Sequence, residues 1–297
     1  MPELPEVQTI VDDLKKKIIG LQIVDVWTDA YQLIKKPSFE NFKKQIKGAK
    51  IEEIERRGKN ILIFLTKSYK LNTKKMILLI HQKLTGHLLC GQWQMENGKW
   101  QPIEKGPLEE TVNNYIHLIL FLNNGKMLAL SDLRKFAKVI LSSPSDIENL
   151  KEIKELGPDP LDKNFNFEEF KKLIKSEKRK IKEVLMDQSV ISGIGNIYSD
   201  EILWQAKIHP LKLANQLADL EIKNLYKAMH SVLEKAIKMR GTSISDFRDP
   251  EGKPGKYAEI RAVYQREGEK CRRCGAIIKR IKIGGRSAHF CPKCQRA

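Results

Sequence analysis

Cys271 and Cys274 lie two residues apart in CRRCG, and Cys291 and Cys294 repeat that spacing in CPKC sixteen residues later. Two knuckles of this kind bring four thiolates around one tetrahedral ion, so the spacing predicts one structural Zn2+. Four thiolates leave no open coordination position, which argues against catalysis at the metal. A redox dithiol pair and an iron–sulfur site are the competing readings. His289, two residues before Cys291, reads as a strand position. The remaining cysteine, Cys90 in LLCGQW, reads as a small buried hydrophobe.

Two further groupings have chemical capacity. The chain opens MPELPEV, with Glu3 and Glu6 among prolines. On residue types alone this is a helix N-terminus, where acids complement the macrodipole and Pro5 suits the first turn. In ISGIGNIYSDEIL, Gly193, Gly195 and Asn196 lead into a helix near Ile197. Such a turn can grip a phosphate on helix N–H groups, or it can be a tight connection between two helices. Between the cysteine pairs, AIIKRIKIGGRSAHF predicts a β-hairpin turning at Gly284–Gly285 with Arg286 beside the tip. The chain carries 54 Lys+Arg against 37 Asp+Glu, a formal +17. From Tyr257 to Ala297 there are 11 Lys/Arg and 3 Asp/Glu. Zinc modules also serve protein contacts and lysine-rich surfaces are common, but this density favours a polyanionic partner.

The elements that must carry these groups follow from pattern. Val7, Ile10, Val11, Leu14 and Ile18 form one helical face over 6–19, with Gly20 as the stop. Short β-branched and leucine-rich runs then alternate with polar breaks such as LNTKK, MENGK and LNNGK. They predict an antiparallel β-domain ending near Leu141. Residues 142–160 form a linker closed by GPDP, which stops helix. Residues 161–256 are helical, starting at the N-cap Asn166 with Glu169 three residues on, and end in the loop DFRDPEGKPGKY. Residues 257–297 are the metal module. No apolar run approaches the roughly 20 residues of a membrane span, and the N-terminus lacks signal-peptide character. These features predict a soluble intracellular protein of two or three domains.

Together these pieces closely resemble the formamidopyrimidine-DNA glycosylases, bacterial base-excision enzymes for oxidised guanine. The resemblance spans nearly the whole chain. It rests on MPELPEV, RRGKNILI, SDLRKF, LGPDPL, LMDQ followed by GIGNIYSDEIL and IHP, the GKPG loop, and the C-terminal cysteine module. The fold it implies has α and β domains: a β-sandwich with a leading helix, a helix–two-turns–helix domain and a zinc-finger hairpin, with DNA in the cleft between them. It implies a bifunctional glycosylase and abasic-site lyase in which Met1 is removed and Pro2 becomes the nucleophile. An α-amine titrates near 8, so much of it is neutral at physiological pH. A secondary amine can attack C1′ and form an iminium. A retained Met1 would turn the Pro2 nitrogen into an amide.

By the same resemblance Glu3 shuttles protons at the deoxyribose, Glu6 supports the site and Lys59 bridges phosphate and lesion. Leu84, Arg134 and Phe136 fill the space left by the flipped base, Arg134 facing the orphaned cytosine. On pattern alone Leu84 and Phe136 would be core, and Lys59 a surface strand residue. The chain departs from the family at Leu84, more usually Met, and at Ala137, more usually Gly. DNA grip is assigned to Lys182, Gly193, Gly195, Asn196, Tyr264 and Arg286. The loop from about Gly241 to Tyr257 covers the flipped base, with hydroxyls at Thr242, Ser243 and Ser245. The implied partner is double-stranded DNA with an oxidised base or abasic site, bound by a cytoplasmic, nucleoid-associated monomer. Two alternatives remain: an endonuclease VIII-like enzyme for oxidised pyrimidines, and a lesion-binding homologue that does not cut. Leu4 and the Arg-Lys-Phe run favour purines, and Pro2, Glu3, Glu6 and Lys59 favour catalysis.

Overall fold

The computed structural model describes residues 1–69, 72–244 and 246–296. They form two compact units, Met1–Lys154 with Met239–Lys256, and Glu155–Lys238 with Tyr257–Ala297.

The first unit begins with α1 (Leu4–Ile18), whose Val7, Ile10, Val11, Leu14 and Ile18 are buried as the periodicity predicts. It starts two residues earlier than expected, because Leu4 and Pro5 already belong to the first turn. Strands β1 (Ile23–Thr28) and β2 (Ile34–Lys36) precede α2 (Phe39–Ile46). Next come β3 (Lys50–Arg57), β4 (Asn60–Ser68), β5 (Thr73–His81) and β6 (His87–Gly91). A ribbon of β7 (Trp93–Glu96) and β8 (Lys99–Pro102) follows, then β9 (Ile116–Leu122), β10 (Met127–Ser131) and β11 (Lys138–Ser142). The short helices α3 (Pro144–Ile147) and α4 (Lys151–Lys154) close the run.

One sheet has the order β1-β9-β10-β6 and the other β2-β11-β5-β4-β3. All neighbours are antiparallel except β2 and β11. Their inner faces share one core: Leu118 and Leu130 from the first sheet, Ile63 and Leu78 from the second, Ile10 and Leu14 from α1. This is a β-sandwich with a leading helix. Strand β9 is apolar almost throughout because both its faces are covered. Ile119 points away from the shared core into a second cluster with Leu89 and Trp93, where Trp100 of the ribbon meets Trp27 edge-on at 5.3 Å.

The second unit holds α5 (Phe167–Ser176), α6 (Ile181–Met186), α7 (Asn196–Ala206) and α8 (Asp219–Lys238). The expected cap of α5 forms: Asn166 Oδ1 accepts from the N–H groups of Glu168 and Glu169 at 3.0 and 3.1 Å. A hairpin of β12 (Lys279–Ile283) and β13 (Arg286–Phe290) turns at Gly284–Gly285, both at positive φ. These helices and the hairpin are the helix–two-turns–helix and zinc-finger parts of the fold. The segment Met239–Lys256, read from the sequence as the end of the second domain, packs with the first unit. The cause is a set of polar contacts to α1, some 230 residues away in the chain. No helix among the described residues is long and apolar enough to cross a membrane.

Candidate active site and nucleic-acid interface

At the start of α1 the chain buries groups that water would normally keep. Met1 is 49% exposed, but Pro2 is buried, and Glu3 and Glu6 are 3% and 1% exposed. Glu3 is the N-cap residue. Glu6 uses both carboxylate oxygens: Oε2 accepts from the Glu3 N–H at 2.8 Å and Oε1 from the Thr242 N–H at 2.7 Å. Lys59 sits in the two-residue turn between β3 and β4, after Gly58 at φ +56°. A lysine on such a turn ordinarily reaches into water, yet this one is 5% exposed. His81, at the end of β5, lies opposite Asn60 of β4 and Lys138 of β11. Its Nδ1 accepts from the Lys83 N–H at 3.0 Å. Burial, with Lys83, Lys59 and Lys138 nearby, holds its pKa down at about 3. It is a neutral imidazole in a cationic neighbourhood.

Two loops of the same unit carry Leu84, Arg134 and Phe136, the residues expected to fill the space of a flipped base. Leu84 is 38% exposed and Phe136 48%, so neither is core. The Arg134 guanidinium lies 4.6 Å over the Phe136 ring. Both loops are fixed from beneath by Asp132, which is fully buried. Its Oδ1 accepts from the Thr85 hydroxyl at 2.5 Å and the Arg134 N–H at 3.3 Å, and its Oδ2 from the Ala137 N–H at 2.8 Å. Ala137 stays out of the left-handed region, so alanine fits where glycine is usual. Ser245 lies outside the described residues.

In the second unit the glycine turn forms as expected, with Gly193 at φ +92° and Gly195 as the N-cap of α7. Gln188 braces it, accepting from the Gly193 N–H at 2.9 Å and donating to the Ile194 carbonyl at 2.7 Å. The side-chain oxygen of Asn196 is buried without a partner among the described residues. Lys182 departs from expectation. It is 1% exposed, with its ammonium on Asp200 at 2.5 Å and the Ser199 hydroxyl at 3.0 Å. It supports the first turn of α7 and presents no surface to a phosphate. Asp200 also accepts from the backbone N–H of His289 and meets its Nδ1, each at 2.9 Å. His289 is thus a strand residue, as its position suggested. Buried Glu201 accepts from the N–H groups of Ala262, Val263 and Tyr264, fixing half-buried Tyr264. Arg286 is exposed at the hairpin tip, in a shallow groove with Arg280 and Lys282.

The four sulfurs of Cys271, Cys274, Cys291 and Cys294 lie within 4.8 Å of one another. A tetrahedron with Zn–S bonds of about 2.3 Å has edges of about 3.8 Å. The Cys274–Cys291 and Cys271–Cys294 separations, 3.4 and 4.0 Å, bracket that value. Burial raises the Cys271 thiol, but the Trp204 indole N–H at 3.4 Å and backbone N–H groups outweigh it and hold the pKa at about 6. Cys294 is pushed up to about 12 by burial and by the neighbouring thiols. Repulsion among four thiolates is what a divalent cation offsets, and the quartet fits one structural Zn2+.

Three family models tile the chain: "Formamidopyrimidine-DNA glycosylase N-terminal domain" over residues 1–139, "Formamidopyrimidine-DNA glycosylase H2TH domain" over 156–248, and "Zinc finger found in FPG and IleRS" over 268–297. The chain belongs to the formamidopyrimidine-DNA glycosylase family. Its relatives include the formamidopyrimidine-DNA glycosylases of Desulforamulus reducens, 39% identical over the whole of both chains, and Pelotomaculum thermopropionicum, 38% identical over 100% of this chain and 99% of the other. The Lactococcus lactis family member, solved with abasic-site DNA, is 34% identical and superposes with a TM-score of 0.83 over 99% of this chain and 100% of its own. The same protein with DNA containing an oxidised pyrimidine gives 0.84 at 34% identity, over 100% of both chains.

Of the residues that resemblance to the formamidopyrimidine-DNA glycosylases singles out, the first unit buries Pro2, Glu3, Glu6 and Lys59 and exposes Leu84, Arg134 and Phe136. The second exposes Arg286 and turns Lys182 inward. Sequence reading missed His81, Asp132 and Glu201. Each had a faint signal: a histidine closing an apolar strand, an acid opening the SDLRKF loop, and the second of two adjacent acids, Asp200 and Glu201, in the middle of a helix.

Proposed function

We propose that this chain is a base-excision DNA glycosylase and abasic-site lyase for oxidised purines, 8-oxoguanine and formamidopyrimidines, in duplex DNA. Pro2, once Met1 is removed, is the nucleophile. Its neutral amine attacks C1′ of the flipped nucleotide, the glycosidic bond breaks, and the base leaves with a proton. The sugar ring then opens: C1′–O4′ breaks, O4′ takes up a proton and C1′ becomes an iminium, which acidifies the C2′ protons. β-Elimination then expels the 3′ phosphate and δ-elimination the 5′ phosphate. Glu3 moves protons at the sugar, Lys59 bridges phosphate and lesion, and His81, neutral over the working range, adds no competing titration there. Leu84 and Phe136 fill the vacated stack and Arg134 meets the orphaned cytosine. Asn196, the Gly193–Gly195 turn, Tyr264 and Arg286 hold the backbone, with Lys182 beneath them. The protein acts as a monomer in the cytoplasm, on nucleoid DNA.

The observation that carries this reading is that the first unit buries Pro2, Glu3 and Glu6 at the start of α1, and buries Lys59 on the β3–β4 turn as well. A merely capped first helix would leave such groups in water, where they cost nothing. The test is borohydride trapping on a duplex with 8-oxoguanine opposite cytosine, followed by mapping of the cross-linked peptide. An adduct on Pro2 establishes the nucleophile, the lesion class and removal of Met1. Tight lesion binding with no adduct would favour the non-cutting homologue. The Lactococcus lactis complex with an oxidised pyrimidine keeps the sister activity in play, so thymine glycol should be cleaved in parallel. Faster cleavage of thymine glycol would reverse the substrate assignment.

A further inference from the structure

Glu6, Asp13 and Lys17 lie on one stripe of α1, seven and four residues apart. All three engage the segment 239–256. Glu6 accepts from the Thr242 N–H, as above. Lys17 Nζ pairs with Glu251 Oε1 at 2.8 Å. Both oxygens of Asp13 accept from the Arg240 guanidinium, Nη1 to Oδ1 at 3.2 Å and Nη2 to Oδ2. The same guanidinium reaches Asp249 Oδ2, from Nε at 3.0 Å and Nη2 at 2.6 Å. Asp249 is fully buried, and its Oδ1 accepts from the N–H groups of Glu251 and Lys253, closing the return of the loop.

The backbone shows how tightly this neck is drawn. Arg240 has φ +62° and Gly241 φ +78°. Left-handed backbone is uncommon for arginine and persists where its surroundings hold it. A Cβ on Gly241 would stand 2.8 Å from Glu6 Oε1, so the turn closes directly on that carboxylate. The Lys256 N–H donates to the Met239 carbonyl at 2.9 Å, which shuts the segment at its base.

We propose that Arg240 is a positioning residue that rivets the neck of this loop to the helix that begins next to Pro2. One guanidinium joins the outgoing strand of the loop, its return at Asp249 and the shaft of α1, so loop and nucleophile keep one frame. The consequence rests on the reading of the loop as the cover for the flipped base. Base excision needs that cover. An abasic site has no base to enclose, so elimination there does not.

The experiment compares wild type with Arg240→Ala, Asp13→Asn and Arg240→Lys, using the full zinc-loaded chain. Asp13→Asn loosens the rivet without touching the strained turn. Amide hydrogen exchange within 241–256 should speed up by about tenfold in Arg240→Ala, with β4 and β5 unchanged. In single-turnover assays, excision of 8-oxoguanine opposite cytosine should fall by about tenfold, while strand cleavage at a preformed abasic site changes by less than about twofold. Asp13→Asn should show the same split more weakly. Arg240→Lys should restore only part of the loss, because an ammonium cannot fork to both carboxylates. Unchanged exchange in Arg240→Ala would overturn the proposal, as would both rates falling together or neither falling. Faster exchange in Arg240→Ala, beside a wild type that never excises 8-oxoguanine, would uphold the rivet and sink the functional reading instead.

Discussion

Lys182 and Arg286 are both cations of the second unit, one 1% exposed and the other open to water. Their spacing in the sequence does not distinguish them; burial does. Removing one partner of a buried ion pair costs about 3–5 kcal/mol, because the other charge stays behind. Lys182→Ala should therefore lower the unfolding free energy by an amount in that range, read as a lower midpoint of denaturant unfolding at unchanged slope. A lysine that served only to hold phosphate would leave the midpoint alone. His81 offers a second test. Its folded pKa of about 3 lies below the ordinary histidine value. Between about pH 6.5 and 3 the unfolded chain binds the extra proton, so this group makes stability fall as pH falls. The melting temperature of wild type should drop from pH 7 to pH 4, and His81→Gln should remove part of that drop. An identical slope in the variant would mean that His81 titrates normally. Neither residue was legible in these terms, since strand and helix periods say nothing about which polar side chain a distant element will cover.

The loops at Leu84 and at Arg134–Phe136 come from separate strand connections, 82–86 and 132–137, and are one object because Asp132 bonds to both. Asp132→Asn replaces one acceptor oxygen with a donor facing a donor, an unsatisfied buried contact worth about 1–3 kcal/mol. At subsaturating duplex, lesion excision should fall by about tenfold or more. The decisive measurement is a cycle with Leu84→Ala. If Asp132 acts by aiming Leu84, the double variant loses less than the sum of the singles; strict additivity would separate the two roles. The sequence displayed most elements plainly: the α1 stripe, the Asn166 cap, the cysteine knuckles and the Gly284–Gly285 turn are all local patterns. It hid the partnership of two loops some fifty residues apart, and the tie of 239–256 to α1. That segment's loyalty is fixed by Glu6, Asp13 and Lys17, which no local pattern connects to it.

On the scale of the whole molecule, the formal charge of +17 was readable from composition and points to a polyanion. Composition does not say how many of those charges reach DNA, because many are already engaged. Lys17, Lys138, Lys171, Lys212, Arg179 and Arg240 all sit in ion pairs. The footprint is measurable as a salt slope: each phosphate neutralised contributes about −0.9 to the change of log binding constant with log salt. Binding of a duplex carrying a tetrahydrofuran abasic analogue, followed by anisotropy from about 50 to 200 mM salt, gives that slope for wild type. Arg286→Ala should make it shallower by about one, with weaker binding throughout the range. Lys182→Met, whose charge is spent on Asp200, should leave the slope unchanged. A wild-type slope in Arg286→Ala would take the hairpin tip off the DNA. The positive charge concentrated after Tyr257 would then have to act through other residues of the module, Arg280 and Lys282 first among them.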